Sequence, residues 1–553
     1  MTNLTADTVF INGRIHTMDR EQPVVEAMAV ENGRIVAIGA SADLDALIKS
    51  DTKRVDLNDR MVMPGIIDAH CHPVKGAIAT LFTARIGFTD DLDTITEIVS
   101  RSVKNSKSRE WIIGGRWGSG LFDRPSDFSP RDWLDNIVSG QPVYLRDDSG
   151  HNGVANSSAL AALGIDRDTP DPAGGRIVRE ADGVTPNGLL LEQADVEARA
   201  RIPDWTAEQY RAGVREMMRI AHGFGVVGVN DADASEALLK AYHSADQDGE
   251  LKVYVAASIT TPYGARSKPL DYDQLELLRD TYASERVETR FVKIYEDGVP
   301  TTARTAAMLK PYLPGEGFDA DHDGWLHVDE TTLTNDIAEL ESRGFTVKIH
   351  TAGDRSVRVA LNAIERAHEI SGRNDLRHEL AHAGFVDETD IPRFASLNTV
   401  ADLSPYIWYP SPINDSVVNA LGERGRQYWP IRDLLDTNAP VLTGSDWPAA
   451  VASMDPWIGI ETMVTRRSPG EKSGPKLWGE QAINLERVLS MFTLDSARAL
   501  KRDHQTGSLI QGKSADFIVL DRNLFAIESC EIAATQVLET WFEGDCVFRK
   551  GEN

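Results

Sequence analysis

The chain carries 58 Lys and Arg against 85 Asp and Glu over 553 residues, a net charge of −27, with 41% hydrophobic and 26% charged residues. Those proportions suit an ordered, soluble protein and exclude a disordered one. The acidic surface opposes a nucleic-acid partner, and no apolar run reaches the roughly 18 residues of a membrane-spanning helix.

The start, MTNLTADTVFINGRI, has no basic segment followed by an apolar core, so no signal peptide is expected. Three cysteines (Cys71, Cys530 and Cys546) are too few for a disulfide framework, which fits a reducing cytoplasm. Residues 9–16 (VFINGRIH), 27–38 (AMAVENGRIVAI) and 53–63 (KRVDLNDRMVM) read as strands broken by Asn-Gly and Asn-Asp turn signals. From residue 64 the pattern changes. Short β-branched runs that end in polar clusters recur at 64–72, 225–232, 251–260, 289–298, 344–350, 376–382, 398–404 and 440–446. Helices are plausible between them, as at 353–370, where Val357, Ala360, Leu361, Ile364 and Ala367 recur at helical spacing. Eight such units predict an α/β fold, a parallel sheet closed into a (β/α)8 TIM-like barrel over 64–505. About 150 residues separate the first two strands, too many for one crossover, so a subdomain is expected as an insertion at about 75–205. The final stretch, 507–549, returns to the style of the start. A small β-sandwich built from both termini, residues 1–63 and 506–553, is therefore expected.

The polar residues at the strand ends carry the chemistry, because the carboxyl ends of barrel strands form the active-site rim. His70 and His72 stand at i and i+2 and project to one face, while Cys71 points away and packs as a small side chain. Lys293, His350, His382 and Asp446 end four later strands at the same barrel end. One histidine at a strand end is usually structural. Four histidines and an aspartate converging at one rim are a donor set for zinc or another borderline divalent metal. Such a metal lowers the pKa of bound water to about 7 and supplies hydroxide for hydrolysis. Asp446 could bind the metal and also take a proton from that water. A free Lys293 ammonium would repel the metal, so this lysine has to be neutral, or carboxylated so that it bridges two ions.

MPGIIDAHCHP resembles the opening signature of the amidohydrolase superfamily. The remainder is similar to its YtcJ-like branch, which includes N-substituted formamide deformylases. The likeness runs through GHNGVANSSALAALGI, FVKIYEDGVP, VKIHTAGDRSVRVALNAIE, RHELAHAG, VLTGSDWPAA and GSLIQGKSADFIVLD in order. The resemblance implies that His70 and His72 hold the more buried of one or two zinc ions. A carboxylated Lys293 then bridges to a second ion held by His350 and His382. It also implies that Asp446 binds the first metal and serves as general base and then general acid. His151, within DDSGHNG, is expected to face the substrate and to polarise the scissile carbonyl or stabilise the oxyanion. Trp117, Tyr295 and Asp297 are candidates for the pocket wall. Ala381 and Gly384 stand where relatives usually show Glu and Gln, and Glu296 precedes the family's Asp-Gly; these departures bear on the substrate and remove no ligand.

The expected function is metal-dependent hydrolysis of a non-peptide carbon–nitrogen bond in a small amide or formamide, by a cytoplasmic protein that the resemblance implies is a homodimer. The alternatives are a cyclic-amide hydrolase or deaminase on the same scaffold, or a non-catalytic regulatory relative. Lys293 disfavours a one-metal deaminase, and the complete ligand set disfavours a mere regulator.

Overall fold

All eight anticipated runs form one parallel sheet. The computed structural model describes residues 5–87, 89–105, 110–118, 121–122, 128–147, 152–172, 175–266, 268–301, 303–315, 318–449 and 451–552. The barrel strands are β1 (Ile66–Cys71), β2 (Val226–Ala234), β3 (Tyr254–Thr260), β4 (Val287–Tyr295), β5 (Thr346–Thr351), β6 (Glu379–His382), β7 (Val400–Leu403) and β8 (Val441–Thr443). Each lies beside its predecessor in the chain, and every neighbouring pair is parallel. Strands covered on both faces have no reason to alternate polar with apolar residues, which is why they read as continuous apolar runs.

The ring closes where the segment after β8 meets β1. The Asp446 and His72 amides donate to the His70 and Trp447 carbonyls, both at 2.7 Å. Gly444 makes this approach possible, since a Cβ there would lie 2.3 Å from the His70 backbone nitrogen. Helices follow the strands. Asp354–Ser371 buries Val357, Ala360, Leu361, Ile364 and Ala367 and stops at Gly372 in the left-handed region. Glu330–Ser342 begins under an Asp329 carboxylate that accepts from the Thr332 amide.

Two further sheets flank this barrel within the same unit, Met1–Pro73 with Met217–Asn553. A four-stranded sheet orders Arg34–Gly39, Ala27–Glu31, Thr8–Ile11 and Lys53–Asp56. A six-stranded one orders Asp545–Arg549, Val537–Phe542, Phe517–Leu520, Met61–Pro64, Arg14–His16 and Val24–Val25. Their shared core includes Phe10, Val62, Phe517 and Trp541. The Phe10 ring meets Phe517 and Trp541 edge-on, each at 5.0 Å. Strand Met61–Pro64 pairs with Phe517–Leu520 and is followed, after Gly65, by β1.

The second unit, Val74–Glu216, has its own mixed sheet of six strands. Ala84–Arg85, Ile112–Trp117 and Val143–Asp147 run parallel, and Asn152–Ala155, Pro186–Glu192 and Gly175–Arg179 continue antiparallel. Among the described residues, no helix is long and apolar enough to cross a membrane.

Candidate metal centre

Strand β1 delivers His70 and His72 to the carboxyl end of the barrel, and the chain after β8 brings Asp446 against them. Asp446 Oδ1 lies 3.3 Å from His72 Nε2 and 3.7 Å from His70 Nε2. One ligand atom from each of these three residues falls within 4.8 Å of the others. Strand β6 adds His382, whose ring is 5.0 Å from that of His70, and β5 adds His350, 4.5 Å from His382. Lys293 and Tyr295 share one face of β4. The Lys293 ammonium lies 5.3 Å from the Tyr295 ring, which is itself 6.1 Å from His350. His382 (φ 73°) and Asp446 (φ 58°) both occupy the left-handed backbone region, a strained conformation that concentrates at functional sites.

The hydrogen bonds around the histidines select which ring nitrogens remain open. His70 Nδ1–H donates to Asp402 Oδ2 at 2.6 Å, so Nε2 keeps its lone pair; that atom is buried and has no protein partner. His72 Nδ1 is likewise buried and unpartnered. His350 Nε2–H donates to the Gly298 carbonyl at 2.9 Å, which leaves Nδ1 as the acceptor. Burial holds the His70 and His350 rings neutral, well below the ordinary imidazole range, and pushes His382 down to about 3. Burial also pushes up on Asp446, but the hydrogen bond from His72 and the nearby His382 and His70 outweigh it and keep the carboxylate ionised. Neutral imidazoles with open lone pairs beside a carboxylate fit a divalent metal.

Two buried lysines stand side by side on β4 and β5, where Lys293 pairs in register with Lys348. Lys348 donates to Asp402 Oδ2 at 2.6 Å, lies 2.6 Å from Glu379 Oε2, and reaches the Ala69 carbonyl at 3.3 Å. Lys293 makes no ion pair among the described residues. Burial, and then the Lys348 ammonium, push it down to about 8. Sequence reasoning passed over Lys348, Glu379, Asp402 and Asp68. Asp68 accepts from the Ser445 amide and hydroxyl at 2.9 and 2.6 Å and so pins the segment that carries Asp446.

Of the proposed wall residues, Tyr295 lies beside His350. Asp297 spends its oxygens on the Ala307, Ala352 and Gly353 amides and the Ser356 hydroxyl, so it braces the loops after β4 and β5. Trp117 is 3% exposed, packed with Leu134, Val143 and Phe122 inside the second unit. His151 lies outside the described residues.

A second cluster, Glu341 with His368 and His378, sits behind the sheet. His378 Nδ1 accepts from the Val347 amide and its Nε2–H donates to Glu341. Both ring nitrogens are occupied, so the cluster is a hydrogen-bonded brace and not a metal site.

Known proteins share this plan. The family model described as "Amidohydrolase family" matches residues 53–548. "Protein LONG AFTER FAR-RED 3" of Arabidopsis thaliana is 30% identical, over 98% of this chain and 91% of that protein. "Putative amidohydrolase YtcJ" of Bacillus subtilis (strain 168) is 28% identical over 98% and 99%. "N-substituted formamide deformylase" of Arthrobacter pascens is 26% identical over 97% of each chain. Among solved structures, an uncharacterized metal-dependent hydrolase from Pyrococcus horikoshii OT3 matches with a TM-score of 0.76 at 23% identity. That match covers 94% of this chain and 99% of the other, and it extends to the fold.

Proposed function

Since the chain belongs to the amidohydrolase family, in its YtcJ-like branch, we propose that it hydrolyses a non-peptide carbon–nitrogen bond in a small amide or formamide. His70, His72 and Asp446 would hold one divalent metal, with zinc the best match to the donors, and a carboxylated Lys293 would bridge to a second at His350 and His382. The observation that carries this reading is the buried Nε2 of His70, without a protein partner and 3.7 Å from Asp446. When bound, the metal polarises the scissile carbonyl and lowers the pKa of water.

The chain's own residues do the rest. Asp402 fixes the tautomer of His70 through Nδ1. The ionised Asp446 takes a proton from water as the water oxygen attacks the carbonyl carbon. As the carbon–nitrogen bond breaks, its electron pair goes to nitrogen, and Asp446 hands the proton to the departing amine. His151 is assigned the oxyanion on the family likeness alone. The relative named as a formamide deformylase supports a formamide, giving formate and an amine. Three free cysteines fit a reducing cytoplasm, and a homodimer belongs to the same reading.

The test is a screen of N-formyl amines, N-acetyl amines, cyclic imides and aminated rings, followed by amine and ammonia release. Metal-dependent cleavage of formyl or acetyl amides is expected. Ammonia release from aminated rings with every amide untouched would overturn the assignment.

A further inference from the structure

The far end of the barrel from the histidines is as unusual electrostatically as the metal centre. A cavity of about 500 Å³ opens among the amino-terminal ends of β4, β5 and β6 and the final barrel helix, Ser496–Ala499. Six cations line it, Arg290, Arg343, Arg373, Arg377, Arg498 and Lys501, against two acids, Asp375 and Asp503. In a chain of net charge −27, this concavity carries a local excess of cations over acids.

Four of the arginines are engaged. Arg290 pairs with Glu288, Arg373 with Asp375, Arg498 with Asp495, and Arg343 with Asp273, Glu276 and Glu339 outside the cavity. Arg290 spends Nε and Nη2 on Glu288, and no acceptor meets its Nη1 among the described residues. Arg377 and Lys501 differ. Neither has an ion pair among the described residues, and the Lys501 ammonium lies 5.3 Å from the Phe291 ring. Both also sit in the left-handed backbone region, at φ 53° and 60°, which L side chains rarely adopt. Lys501 feels the Glu288, Glu379 and Asp375 carboxylates without pairing directly with any of them, and Arg377 has no ion-pair partner among the described residues, so both cations remain available to a ligand in the cavity.

We propose that this cavity binds a small, multiply charged oxyanion of the phosphate-ester class, held by Arg377 and Lys501 with further donation from Arg290. Guanidinium and ammonium groups lining one cavity match tetrahedral phosphate oxygens, and the volume suits a small molecule. The acidic surroundings repel a nucleic-acid polymer. The strands that meet at this cavity are the ones whose other ends carry Lys293, His350 and His382, so the anion would tie together the feet of half the metal centre. The site is independent of the hydrolytic reading above.

Isothermal titration calorimetry on the full chain tests it, with inorganic phosphate, pyrophosphate and citrate at ionic strength matched by sodium chloride. Saturable one-to-one binding is expected, tightest for pyrophosphate. The Arg377→Ala/Lys501→Ala double variant should weaken it at least tenfold, and Arg14→Ala, an exposed arginine elsewhere, should leave it unchanged. Should the double variant fold poorly, Arg377→Gln and Lys501→Gln singly should each weaken pyrophosphate binding severalfold with the thermal transition intact. Absence of saturable heat would overturn the proposal. Unchanged affinity in the Arg377 and Lys501 variants would do the same by placing the anion elsewhere, and citrate binding as tightly as pyrophosphate would overturn the phosphate class.

Discussion

Lys348 and His70 grip the same carboxylate oxygen. Asp402 Oδ2 accepts from the Lys348 ammonium and from His70 Nδ1, each at 2.6 Å, with all three side chains buried. The lysine therefore sets the charge and position of the group that orients His70, a proposed metal ligand. Lys348→Met would leave Asp402 and Glu379 facing each other uncompensated, at a stability cost of about 3–5 kcal/mol. Metal affinity should also fall roughly 10- to 100-fold. Equilibrium unfolding and metal titration of the variant check both outcomes; unchanged metal affinity would detach Lys348 from the site.

Asp446 is held as a carboxylate by His72, His382 and His70. Asp446→Asn keeps the shape and one oxygen donor but cannot accept a proton. Turnover of the best amide substrate should drop by a factor of about 10²–10⁴, while elemental analysis still finds metal. Near-normal turnover would assign the proton transfers to another residue.

Lys293 stands without a carboxylate partner next to the Lys348 cation. Lys293→Ala should lower the number of ions bound per chain, and short carboxylates such as propionate should restore part of it by occupying the vacated space. Unaltered stoichiometry, measured by mass spectrometry of the bound metal, would show that this side chain bridges nothing.

Glu341 supplies a pH prediction away from the metal ligands. Burial pushes this carboxyl up, yet hydrogen bonds from His368, His378 and Ser371 hold it down to about 2. A carboxyl depressed by folding stabilises the protein above its unfolded pKa, near 4.3. That contribution is lost as pH falls from there through about 2, and amounts to at most about 3 kcal/mol. Glu341→Gln should therefore lower the melting temperature at pH 7, and the gap from the parent should narrow between pH 4 and 2. A gap that stays constant with pH would show that the loss comes from packing.

Much of the fold is legible in the chain because a strand buried on both faces leaves an unbroken apolar run, and eight such runs end in polar residues. His70 and His72 announce themselves by their spacing, which puts both on one face of β1. The interior charges do not. A lysine within VKIH and an aspartate within VADLS look like interruptions, and acquire meaning only from partners 54 and 332 residues away along the chain. Lys348 stands two residues before His350 and Asp68 two before His70, so the alternation that exposes these histidines also points to their supports. Asp297 misleads for a related reason. Its place just after β4 suggests the pocket wall, and only the amides of Ala352 and Gly353 from the next strand's loop reveal what occupies it.

Strand Met61–Pro64, which leads into the barrel, takes one of its neighbours from Phe517–Leu520. During synthesis that neighbour follows roughly 450 residues later, about 20 to 90 seconds at 5–20 residues per second. Throughout that interval Phe10, Ile15 and Val62 lack the Phe517 and Trp541 side chains that cover them in the finished molecule. The apolar face that these side chains form is therefore completed only when the closing strands emerge from the ribosome.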